Sequence, residues 1–331
     1  MAFVHPGSSA CPSYQLDLFS VPPTQLNVEG GVISDYHPVT SLDSGSSIDF
    51  EVSASGSQYL DLRNSRLCVR CKIVKPDGTN LRADERVAPI CNLLGSLFSQ
   101  VDIFLNGTLV TSSTNTYAYR SYFETLLSQG EDVKSTRLFA SMWHTDKGGK
   151  MDSTVADGAD ANPGFLARRA AAAGSATMDL IGRIHADIFF QDRFLLPDVN
   201  VRVRLTRSKD NFCLIGTEAR VVKILSAKLL VRKVNISPSV QLGHLKALEI
   251  SSARYPIKRV VVKTFTIPTG LMDVNQEKLF TGQVPQRLIV GLVSNEAFSG
   301  SITTNPFSFQ HFDLSEISVY IDGQSDQIKP L

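Results

Sequence analysis

An all-β chain of two tandem antiparallel sandwiches is the fold this sequence predicts. Three observations predict it: a repeated strand and hairpin, a second repeated strand at nearly the same spacing, and many short strands with turn residues between them. The first repeat is Ser99-Gln100-Val101-Asp102-Ile103-Phe104-Leu105-Asn106-Gly107, echoed by Ser315-Glu316-Ile317-Ser318-Val319-Tyr320-Ile321-Asp322-Gly323. Both copies alternate β-branched and aromatic residues and end on Asn-Gly or Asp-Gly, which supplies the positive φ of a type I′ hairpin turn. The second repeat pairs Arg66-Leu67-Cys68-Val69-Arg70-Cys71-Lys72-Ile73-Val74 with Arg287-Leu288-Ile289-Val290-Gly291-Leu292-Val293. Both repeats recur after roughly 220 residues, far beyond a propeller blade or solenoid unit, so the repeating object is a domain.

Size and charge agree with a duplicated β domain. At 331 residues the chain is comfortable for two domains with a large core. A formal charge of +1 and 20% charged residues provide no global field for nucleic acid or an anionic membrane, so partners must be recognised by shape. The cysteines are odd in number (Cys11, Cys68, Cys71, Cys91, Cys213), and Met1-Ala2-Phe3-Val4-His5-Pro6 lacks the basic start and apolar core of a signal peptide. The expectation is a chain that is not secreted, with free and mostly buried thiols. No apolar run reaches the length of a membrane span.

In chain order, residues 1 to about 15 read as a Pro-, Ser- and Gly-rich arm, and Gln15 to Val21 as an edge or lead-in segment closed by Pro22-Pro23. Ser47 to Val52 alternates strictly. Tyr59 to Leu62 and Leu67 to Val74 continue as strand, up to the turn Pro76-Asp77-Gly78. Pro89 to Phe98 predicts a short helix before the repeated strand, and Thr116 to Ser128 a helix with Tyr119, Tyr122, Phe123, Leu126 and Leu127 on one stripe and Gly130 as its stop. Residues 145 to 176 read as a long surface insertion, with Lys147-Gly148-Gly149-Lys150, Asn162-Pro163-Gly164 and an alanine run. Strand resumes over Met178 to Phe190 and Val199 to Leu205, where Arg202 and Arg204 form the wet face, and again over Val221 to Val234. Ser237-Pro238 opens a helix through Leu248. The domain boundary falls near residue 236, giving a first roll over 1–236 with its arm and insertion and a second over 237–331. That second half opens with the strand Lys258 to Ile267. Long insertions and a unit of about 200 residues favour the jelly roll over an immunoglobulin-type sandwich.

Chemistry leaves little trace. No dinucleotide fingerprint, phosphate loop, nucleophile elbow or H-E-x-x-H occurs, and Lys147-Gly148-Gly149-Lys150 lacks the Ser or Thr and the strand-to-helix setting of a phosphate cradle. Cys68-Val69-Arg70-Cys71 is formally C-x-x-C, but strand geometry points the two thiols to opposite faces. The best constellation is Arg183-Ile184-His185-Ala186-Asp187 with Gln191-Asp192-Arg193. On a strand His185 and Asp187 share a face, so a metal or acid/base pair is geometrically open, although no third ligand stands at ligand spacing. His144 and His311 sit beside Trp143 and Phe312 as packing residues. No catalytic, cofactor-binding or metal residue is assigned, and no cofactor is expected.

Five segments together carry a family resemblance: Tyr117 to Leu127, Asp179 to Arg193, Arg207-Ser208-Lys209-Asp210, Leu229 to Val234, and Lys278-Leu279-Phe280-Thr281-Gly282-Gln283. Over roughly residues 15 to 325 the chain resembles the double jelly-roll major capsid protein of Polinton (Maverick) elements and adintoviruses, most specifically at 179–193. The resemblance implies two rolls per chain and homotrimers of nearly six-fold outline that tile an icosahedral shell. It implies a non-enzymatic structural role in the virion, with assembly in the host cytoplasm or nucleus. Implied partners are copies of itself and a penton or minor capsid protein, with no sequence-specific nucleic acid binding. Two other readings of the fold stand beside it: a host-domesticated jelly-roll module binding protein or carbohydrate, and a cupin-like metal enzyme using His185. After Gly107 the first half continues for well over 100 residues, whereas few follow Gly323. The second roll is therefore expected to be incomplete, the chain being a truncated form short of roughly 100 C-terminal residues.

Overall fold

The computed structural model describes residues 16–19, 21, 24–42, 47–53, 57–271, 273–280, 285–321 and 324–327. The predicted arm, Cys11, part of the lead-in segment, the Asp322-Gly323 turn and Thr281-Gly282-Gln283 lie outside them. Eight strands make the body of the first half: β1 (Val28–Tyr36), β2 (Ser47–Val52) and β3 (Tyr59–Val74), then, past the short β4 (Val87–Pro89) and helix α1 (Leu93–Ser96), β5 (Phe98–Leu105) and β6 (Thr108–Leu109). Helix α2 (Tyr117–Ser128), α3 (Glu131–Lys134) and α4 (Pro163–Ala172) precede β7 (Met178–Gly182) and β8 (Val201–Arg207). Helix α5 (Asp210–Cys213) and the short β9 (Leu214–Gly216) lead to the last strand, β10 (Val221–Ile236).

The strand order decides the fold. One sheet runs β1-β10-β3-β7 and the other β2-β8-β5-β6, every ladder antiparallel. Numbered one to eight in chain order, with the separate β4–β9 pair left out, the sheets read 1-8-3-6 and 2-7-4-5. This is a jelly roll, two Greek keys folded face to face. Alternation puts Ile48, Phe50 and Val52 of β2 and Val201, Val203 and Leu205 of β8 into the same buried cluster as Leu67, Val69, Cys71 and Ile73 of β3. The hairpin has the predicted turn: Asn106 at φ 47° and Gly107 at φ 81° join Leu105 to its partner Thr108.

Beyond the roll come α6 (Pro238–Ile250), α7 (Asn295–Ser299) and a second hairpin, β11 (Ser318–Ile321) with β12 (Gln324–Gln327). The all-β, antiparallel jelly-roll class expected from the sequence holds, and the echo of the β5–β6 hairpin is a hairpin again. Elsewhere the second half departs from expectation. Neither Lys258–Ile267 nor Arg287–Val293 enters a ladder among the described residues, because neither has a strand beside it to receive its N–H and C=O groups.

Three local readings are corrected. Strand β7 stops at Gly182, and Asp187–Phe189 form a single 3-10 turn, so His185 and Asp187 do not alternate on a strand. On α2 the buried face is turned toward the start of the helix relative to the predicted stripe: Ala118, Tyr119, Tyr122 and Thr125 are buried while Leu127 is half exposed, since the aromatic rings set the packing face. Ser237 stands at the N-cap of α6, but its hydroxyl meets Ser239 instead of a helix N–H. Within residues 145–176, α4 packs on β4 and buries Phe165, Arg168 and Ala172.

Candidate functional site

Of the constellation singled out in the sequence, His185 and Asp187 enter one cluster, around partners the sequence reading missed. Arg120 and Glu124 stand four residues apart on one face of α2. The loop after β7 brings His185 and Asp187 to that face: His185 Nδ1 lies 2.7 Å from Glu124 Oε2, and Arg120 Nη2 donates to Asp187 Oδ1 at 2.5 Å. Arg120 Nε donates to the other Glu124 oxygen at 2.9 Å, and the His185 backbone N–H donates to the Tyr117 hydroxyl at 3.1 Å. Burial pushes the Glu124 carboxyl up, but the bond to His185 and the Arg120 charge outweigh it and hold it below its ordinary range. An ionised Glu124 only accepts, so His185 donates through Nδ1.

Each charged group is therefore matched by an opposite one. The cavity beside the cluster, lined by Gln100, Thr116, Arg120, His185, Val260 and Val262, measures about 30 Å³. That is room for water, an order of magnitude below a small-molecule site. A second-half residue closes the network: the Val260 N–H donates to Asp187 Oδ1 at 3.3 Å. Chemically the cluster is a clamp that ties α2, the loop after β7 and the second half together. Arg183, Asp192 and Arg193 stand outside it; Asp192 pairs with Arg63 and Arg193 reaches the Arg254 carbonyl.

A second clamp is buried more deeply. Arg168 of α4 and Asp146 are 0% and 1% exposed, with Nη2 to Oδ1 at 2.7 Å, and Arg168 also donates to the carbonyls of Pro89 and His144. Asn162 and, from the second half, Asn305 donate to the two Asp146 oxygens. Around it gather the rings of Tyr119, Tyr122, Trp143 and Phe165 with Phe298, Phe307 and Phe309. Phe307 lies flat on Tyr122, centroids 4.1 Å apart.

The remaining candidates resolve as structure. The Arg202 and Arg204 side chains do not simply face water. Both pair with Asp49 on β2, which is 3% exposed, and both guanidinium groups sit 5.9 Å from the Phe104 ring centre. Cys71 is buried and Cys68 half-buried on β3. The larger cleft, about 620 Å³, is open and lined by Lys75, Arg82, Glu85, Glu218 and Arg220 among others. In it Glu85, raised by burial but held by the Arg82 N–H and Arg220, falls to about 2. Among the described residues no group of three or more His, Cys, Asp or Glu side chains could hold a metal ion, and no helix is long and apolar enough to cross a membrane. Two signals could have led to the partners: the Arg120-to-Glu124 spacing, and Asp49 set between apolar residues in β2.

No family model matches the chain. An uncharacterised protein of Caenorhabditis elegans is 26% identical over 297 residues, 86% of this chain and 68% of that protein. Among solved structures, the Sputnik virophage matches with a TM-score of 0.44 at 13% identity, over 70% of this chain and 53% of that one. The PBCV-1 virus capsid gives 0.41 at 10%, over 68% and 46%, and the Faustovirus major capsid protein 0.40 at 9%, over 70% and 58%. The chain thus spans about half the length of the solved structures it matches.

Proposed function

We propose that this chain is a shell-building protein, a viral or transposon-derived major capsid protein of the Polinton and adintovirus kind. It assembles as a homotrimer of nearly hexagonal outline that tiles a capsid. The observation that carries this reading is the pairing of a complete jelly roll with a second half that repeats its strand-and-hairpin, β5–β6 and β11–β12. Three chains with two similar units each present six similar edges, which is what a hexagonally packed tile needs. The division at residue 236 into two rolls belongs to the same proposal, as do location in the virion and contact with a penton or minor capsid protein. The chemistry of the clusters supports a structural role: Arg120, Glu124, His185 and Asp187 are consumed by one another, and the adjoining space is no larger than a water molecule needs.

Light scattering and negative-stain electron microscopy of the purified chain test the reading. A mass of three chains and particles of six-fold appearance are expected; a monodisperse monomer that forms no tile at any protein concentration overturns it.

A further inference from the structure

Along β3, Leu67, Val69 and Cys71 turn into the core, so Arg66, Cys68 and Arg70 stand on the outer face of the β1-β10-β3-β7 sheet. On β7 Met178 and Leu180 are buried, which sends Asp179 and Ile181 to that same outer face. Arg70 and Asp179 are opposite one another in the β3–β7 ladder, and Arg70 grips the carboxylate with its Nε and Nη2 edge, at 2.6 and 3.1 Å. Four residues along both strands the partnership changes. The same register, carried one step past its last pair of Leu67 with Gly182, sets Arg66 against Arg183. A guanidinium stands where the Arg70 pattern has a carboxylate, and like charges opposite one another across a ladder are unfavourable.

Neither cation finds an anion within the described residues. Arg66 is half-buried, and its Nη1 donates to the carbonyls of Arg63 and Ser65 at 3.0 and 2.7 Å. Those two bonds orient the guanidinium and leave its Nε and Nη2 edge, the one Arg70 uses, without an acceptor among the described residues. Exposed Arg183 has no ion pair among them either. The neighbouring carboxylates are taken: Asp179 by Arg70, Asp61 by Arg232 and Asp192 by Arg63. Burial, and after it the Arg183 charge, pushes the Arg66 guanidinium below its ordinary range, outweighing Asp61.

We propose that Arg66 and Arg183 form a binding site for a doubly charged phosphate group, held by the fork of Arg66 on one side and by Arg183 on the other. Two positive charges match a dianion, where a carboxylate would cancel only one. The fork fits two oxygens of a tetrahedral oxyanion as the Arg70 fork fits the two of Asp179. The phosphate is free or the terminal group of a phosphomonoester, since the outer face of the sheet leaves room for either.

Titration calorimetry of the whole chain with inorganic phosphate, at constant ionic strength, tests the site. One phosphate per chain should bind, and at ten times its dissociation constant it should raise the melting temperature by roughly 2 °C. Arg183→Glu, at an exposed position, gives Arg66 the internal partner that Arg70 has. That variant should melt higher than the wild type in phosphate-free buffer and bind phosphate about tenfold more weakly or worse. Arg66→Lys keeps the charge but loses the fork, and should also weaken binding by about tenfold. Phenyl phosphate separates the two sources: binding as tight as that of inorganic phosphate assigns the site to a phosphomonoester, and binding more than about tenfold weaker assigns it to free phosphate. Either result upholds the dianion site. No binding by the wild type, undiminished binding by either variant, or a lower melting temperature for Arg183→Glu in phosphate-free buffer overturns the proposal. So does an equal melting shift in wild type and Arg183→Glu, which is a general salt effect.

Discussion

At the scale of single residues, buried charge is where the sequence is most easily misread. The alternation Ser47 to Val52 puts Asp49 on the face opposite Ile48 and Phe50, and nothing local says that it will be covered. What covers it is the pair of arginines directly across the ladder, since Asp49 registers with Arg204 and Glu51 with Arg202. Burial raises the Asp49 carboxyl, but hydrogen bonds and charge from Arg202 and Arg204 win, and the net direction is down. A carboxyl depressed on folding stabilises above its unfolded value, near 3.9, and loses that contribution as pH falls through the lower folded value. Asp49→Asn should therefore cost about 1–3 kcal/mol at pH 7. It should also flatten the fall in stability below about pH 4, as urea titrations at pH 7 and pH 3 will read. The thiols behave oppositely. Burial pushes Cys71 and Cys91 up to about 12 and raises Cys213 as well, outweighing the charge of Arg207 on Cys71 and Cys213 and of Arg168 on Cys91. Native protein should leave these three unlabelled by iodoacetamide at pH 8, with half-buried Cys68 slow, and mass spectrometry of tryptic peptides will show which cysteines carry the adduct.

Elements join the two halves more tightly than their sequences suggest. Helix α7 and the stretch through Phe309 lie across α2, with Phe298 stacked on Tyr119 at 5.5 Å and Phe307 on Tyr122, which in turn stacks on Trp143 at 5.3 Å. The backbone follows, for Gly216 N–H donates to the Ile302 carbonyl at 2.7 Å. Phe307→Ala leaves a ring-sized void in a fully buried stack and should cost about 3–5 kcal/mol. Trp143 is the chain's one tryptophan and 1% exposed, so its emission reports the loss directly. A red shift with a lower melting temperature is expected, and an unmoved spectrum would mean that this segment does not seal the first roll. Strands β2, β3, β5, β8 and β10 were legible because each is a run of period-two alternation closed by Gly, Pro or Asp. The docking of Ser294–Phe309 was not, since a short aromatic stretch carries no periodicity that names its distant partner. His185 and Asp187 were legible as a pair for a wrong reason, a strand that ends at Gly182, and they meet because α2 supplies Arg120 and Glu124.

For the whole molecule, these contacts separate two meanings of a domain. The roll closed by β10 is complete as a set of ladders, and the proposed boundary falls where that strand ends, at Ile236. Packing does not respect it. Asn305, fully buried, donates to Asp146 beside the Arg168 ion pair, and Val260 donates to Asp187. Removing residues 237–331 would uncover Tyr119, Tyr122 and Ile215, and would take one donor from a buried carboxylate, which costs more than the bond itself contributes. A chain of residues 1–236 should then keep the far-ultraviolet signature of its sheets yet melt lower than the full chain, with Trp143 emission shifted to the red. In the full chain, Trp143 emission and hydrogen exchange of β3 should report a single transition, because the second half is held by the first roll's own core. Two separated transitions there, or a 1–236 fragment as stable as the whole, would make the second half a passenger and leave the Asp146 and Tyr122 contacts energetically silent.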